Sequence, residues 1–131
     1  MNWKRIGVGT LCAFAVFALF DIVGLLVLQK MGMVQLAGIW GKLIGYNALP
    51  TLLNGFLLCW LYVLARPRLG PGLPTALLTG TVAFALANDQ IFNLAFWARS
   101  AGVASAQLGF SWVKYVSATS LAGWQYIEKA Q

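Results

Sequence analysis

With 131 residues, 60% of them hydrophobic and only 9% charged, and a mean hydropathy of +0.77, the chain is too apolar for a soluble domain of its size and belongs in a bilayer. Its net charge of +6 is scattered along the chain, which argues against nucleic acid as a partner and for anionic lipid headgroups. The absence of histidine excludes imidazole-ligated haem or metal and any His-dependent nucleophile, and three acids in all give no convincing carboxylate metal site, so the expected chain is not an enzyme.

A spanning helix needs roughly 20 mainly apolar residues, and four such stretches occur near 6–28, 43–65, 76–98 and 103–126. The first follows "MNWKR" and resembles a secretory signal at its start. Its apolar run outlasts the roughly 7–15 residues of a signal core and meets no small-residue cleavage site, so an uncleaved anchor is expected. Cys12 and Cys59 fall inside spans and are expected to be small packing residues. Residues 29–42 form a mildly amphipathic external connection with Trp40 at headgroup level.

The stretch "LARPRLGPGLPTALL", 64–78, is the sharpest break. Pro67 disfavours helix at Arg66, Gly70, Pro71 and Gly72 make a turn, and Thr75 is placed to cap the next helix. The last connection, "RSAG", is very short, so chain economy predicts an all-α integral membrane protein: one domain over 1–131, a four-transmembrane-helix bundle running up-down-up-down. A duplicated helical hairpin is a further option. A shift of 68 residues pairs Asp21 with Asp89, Gly41 with Gly109, Thr51 with Thr119, Leu53 with Leu121, Gly55 with Gly123 and Phe56 with Trp124. Lys4, Arg5, Arg66, Arg68 and Lys129 collect at one side and Lys30, Lys42 and Arg99 at the other, which places both termini in the cytoplasm.

Inside the spans, Asp21, Asn54, Asp89 and Lys114 bring a polar group from every helix to one depth. The short "RSAG" turn suggests pairing of Asp89 with Lys114, leaving Asp21 to Asn54 or to partial protonation. Such a network either locks the bundle's register, the favoured reading, or relays protons or ions. Around Asp89, the residues Asn88, Gln90 and Asn93 spread polarity over more of the third helix than a compact bundle buries. With Ser105 and Ser111 of the fourth helix they are the candidate contacts to another membrane protein. Ala101, Ser105 and Gly109 add a small-residue stripe, and Gly41 with Gly45 a weaker one. The aromatic residues are expected mainly in interfacial belts and packing. No cofactor is assigned, although a bound lipid, quinone or carotenoid fits between such helices.

At "WLYVLARPRLGPGLPTALLTG", 60–80, and "VSATSLAGWQYIE", 116–128, the chain resembles an uncharacterised family of small four-helix bacterial inner-membrane proteins. That pattern has a Trp-Leu-Tyr helix end, an Arg-Pro-Arg-x-Gly-Pro-Gly loop, a Thr-Ala-Leu helix start and an Ala-Thr-Leu-Ala-Gly closing helix, with an acid, here Asp21, late in the first helix. The resemblance implies four helices and no known activity. Lys114 stands where the family often carries Glu, and "NDQ" at 88–90 departs from it, which fits a member specialised for a partner. The functional expectation is a non-catalytic accessory subunit of an inner-membrane, energy-converting assembly, photosynthetic or respiratory. The alternatives are an oligomeric ion or solute transporter using Asp21, Asp89 and Lys114, or a binder of a lipophilic cofactor.

Overall fold

The computed structural model describes residues 2–32, 40–87 and 101–125, and side chains 40, 42–47, 101 and 103 within these helices are left aside. Among the described residues there are four helices and no strand: α1 (Trp3–Lys30), α2 (Trp40–Leu69), α3 (Leu73–Leu86) and α4 (Ala101–Gln125). Two stretches, Trp3–Lys30 and Ala48–Leu69, are long and apolar enough to cross a membrane by length and composition, while the described part of α3 is apolar but has 14 residues.

Each boundary has a local cause. Asn2 caps α1, its side-chain oxygen accepting from the Arg5 amide at 3.2 Å, and Gly32 closes the other end in the left-handed region at φ 69°. α2 does not stop before Pro67 as expected. It contains Pro50 and Pro67 and runs on to Leu69. Proline removes one amide donor, and in the last turn that loss is small beside the continuing packing of the helix. The helix ends where the amide of Gly70 (φ 82°) donates to the Arg66 carbonyl at 2.8 Å. Thr75 does not cap α3 either. The helix starts at Leu73, and the Thr75 hydroxyl turns back to donate to the Gly70 carbonyl at 2.6 Å. The amide of Gly72 donates to the Tyr62 hydroxyl at 3.1 Å, which ties the loop to α2.

Sequential helices are antiparallel neighbours. A methyl group added at Gly55 would meet the Thr10 carbonyl and the Phe14 amide at 3.0 and 3.3 Å, and one at Gly80 would meet Thr119 and Val116 at 3.0 Å. α1 also packs antiparallel to α4, where Gly9 faces Ala122, and α2 touches α4 through Tyr62 and Gly123. α1 and α3 do not touch among the described residues, so they occupy opposite corners of the bundle. Around Gly55 and its shifted counterpart Gly123, the described residues of the two hairpins do not repeat each other's contacts. A shift of 68 carries the α1 residues that face Gly55 (Thr10, Ala13, Phe14) onto Leu78, Thr81 and Val82, which are exposed, while Gly123 packs on Tyr62.

The core lies at one end. Ile6, Ala13, Phe17, Leu58, Cys59, Tyr62, Val63, Ala76, Ala83, Ala118 and Ala122 form it, at the level of the α2–α3 loop. Beyond Phe17 in α1, before Gly55 in α2, after Ala83 in α3 and before Ser111 in α4, no described residue is buried. Small residues dominate this interior while many leucines face outward, among them Leu11, Leu19, Leu64 and Leu86.

Candidate functional site

Where the core ends, the bundle holds a charged pair. Phe17 and Asp21 lie one turn apart and share a face of α1. Against that face α4 sets Lys114, whose Nζ donates to Asp21 Oδ1 at 2.5 Å and lies 5.1 Å from the Phe17 ring centroid. A cation so placed is held by carboxylate and ring quadrupole together. The pair is lopsided: the Lys114 side chain is 13% exposed and that of Asp21 41%.

An aromatic frame holds the lysine's helix. Tyr115 meets Phe17 edge-on, centroids 5.1 Å apart, and Phe84 of α3 at 6.1 Å, so one ring links two helices that do not otherwise touch among the described residues. Trp112 Nε1 donates to Thr81 Oγ1 at 3.0 Å, fixing α4 to α3, and Phe110 packs on Phe20 and faces Gly24.

Lys114 reaches Asp21, because α4 packs along α1 as closely as along α3. Asp89 lies outside the described residues, as do Asn88, Gln90 and Asn93. Asn54 is half-buried on α2, and the hydrogen-bond partner of Asp21 is Lys114, not Asn54. Ser105 is exposed and its hydroxyl donates to its own helix at the Gly102 carbonyl, 3.0 Å away. Ser111, expected as an outward contact, is buried inside the chain at 9% exposure, on a face that α4 turns toward its siblings.

Of the small-residue stripe, Ser105 is exposed, and among the described residues a methyl group at Gly109 would meet no atom within 4 Å; the same holds at Gly41. The contacts are made instead by Gly9, Gly55, Gly80 and Gly123, with Ala13, Ala76, Ala118 and Ala122 beside them. Ala76/Gly80 and Ala118/Ala122 have the same four-residue spacing as the stripe noticed in the sequence. Spacing was a usable signal, but it does not say which stripe meets a sibling helix.

Chemically the arrangement is a neutral ion pair, suited to joining α1 to α4. The hydroxyls of Thr10, Thr79, Thr119 and Ser120 donate to carbonyls of their own helices instead of passing protons between helices. Among the described residues no three His, Cys, Asp or Glu side chains gather to hold a metal, and both cysteines are free thiols. No family model matches the chain, and no curated protein or solved structure proved significantly similar to it.

Proposed function

We propose that the chain is a non-catalytic, four-span subunit of a bacterial inner membrane, both termini cytoplasmic, that packs against another integral membrane protein. The observation that carries this reading is the contrast between the two ends of the bundle: past the Asp21–Lys114 pair the described helices bury nothing, yet Asp21 is half-exposed at that border and Ser105 and Gly109 present a face left open by the described residues. Hydrocarbon leaves polar side chains unsatisfied, and small residues are how helices approach closely in lipid, so a protein surface is the matching neighbour. The outward leucines and small-residue interior support membrane residence, since water disfavours so much exposed apolar surface. An energy-converting assembly is the proposed setting.

Mild solubilisation of native membranes, size separation and mass spectrometry of comigrating chains test this reading. Comigration with a larger complex at fixed stoichiometry supports it. Migration alone or as a small homo-oligomer overturns it and moves the weight to ion or solute transport through Asp21, Asp89 and Lys114, for which the buried lysine is the supporting observation. Loss of flux in vesicles on Lys114→Met would then be the decisive result.

A further inference from the structure

At the packed end of the bundle, away from the charged pair, a cavity of about 400 Å³ opens between the α2–α3 loop and the end of α4, within the size range of small-ligand sites. Its lining divides by chemistry. Arg66 supplies a guanidinium whose Nη1 is buried, and Tyr62 and Ser120 supply hydroxyls; Leu73, Ala76 and Trp124 supply apolar wall. Lys4, Arg5 and Arg68 stand exposed at the same end, and Trp3 and Trp124, 62% and 76% exposed, mark it as the level where aromatic side chains meet headgroups.

The geometry points to a site for the headgroup of an anionic phospholipid, its phosphate on Arg66 and its acyl chains leaving along exposed Leu73 and Leu77. Three features select this occupant. A guanidinium presents five N–H donors in a planar fork, so it matches a phosphate even while engaging a second partner. The cavity is too polar at one wall for a purely hydrocarbon ligand and too apolar at the other for a free ion. The surrounding basic residues raise the local concentration of anionic lipid. This inference needs only membrane residence and is independent of the subunit reading.

The test uses the full chain reconstituted with equimolar phosphatidylglycerol and phosphatidylcholine, with retained lipid counted by native mass spectrometry. The expected result is about tenfold preference for phosphatidylglycerol, the factor that roughly 1.4 kcal/mol of charge-assisted binding gives. Arg66→Gln is expected to reduce the preference to parity, and Ser120→Phe, which fills the cavity and keeps the charge, to do the same. Arg68→Gln, outside the cavity, is expected to leave it within twofold. Circular dichroism melts of each variant separate lost binding from lost fold. Equal losses with Arg66→Gln and Arg68→Gln would reduce the effect to general surface charge and overturn the site. Displacement of the lipid by equimolar inorganic phosphate would overturn the lipid and leave a plain phosphate site.

Discussion

The end of the bundle near the α2–α3 loop and the end beyond Asp21 are built from the same helices in opposite ways. In the first, glycines remove the side chains that would hold helices apart: a methyl group at Gly123 would lie 2.7 Å from the Tyr62 ring, and one at Gly9 would lie 2.7 Å from the Cys59 sulfur. In the second, Gly41 and Gly109 meet no neighbour among the described residues. A glycine at a close approach is therefore an internal fastening, whereas a glycine on an open face is available to a neighbour. The Asp21–Lys114 pair stands at the border between the two.

The largest effect that would break this comparison is at Gly55. Gly55→Leu drives a side chain into the backbone of α1 at Thr10 and Phe14, which cannot swing aside, and is expected to cost more than about 3 kcal/mol or prevent folding, read from thermal melts in detergent. Gly109→Leu is expected to leave the isolated chain within about 0.5 kcal/mol of the wild type and to abolish comigration with a partner. Equal destabilisation by both would mean that the two ends do not differ.

Next in size is the charged border. Lys114→Met leaves a carboxylate without its cation and is expected to cost about 1–2 kcal/mol, less than a fully buried pair because Asp21 keeps 41% exposure. The double variant with Asp21→Leu should be more stable than Lys114→Met alone. An additive double cycle would show that the pair contributes nothing.

Two changes no larger than this one sharpen the description of the α2–α3 loop and of the border. Gly72→Ala forces a side chain into φ 119° and is expected to cost about 1–2 kcal/mol, with the loop more readily proteolysed. Trp112→Phe removes the bond to Thr81 and is expected to cost about 0.5–1 kcal/mol, because the indole is partly exposed and the ring packing survives.

The helix at "LPTALL" and the break at Gly70 to Gly72 were legible in the sequence because φ above zero and a missing amide are properties of single residues. Pro67 misled for the same reason, since a local rule does not know that the last turn of a helix tolerates the loss. That Asp21 and Lys114 set charge inside apolar runs was also legible, from the rarity of charge in such surroundings.

By itself, then, the sequence determined the helical class, the short α2–α3 connection and which polar residues lie inside apolar runs, all of which follow from local composition and chain length. Only the tertiary structure decided that Lys114 faces Asp21, that Gly9, Gly55, Gly80 and Gly123 are the close approaches, and that Ser111 points inward while Ser105 points out. Those choices depend on the rotation of each helix about its axis. Rotation is fixed by the summed fit of many small side chains across five interfaces, and a repeat of four residues along one helix carries no record of that sum.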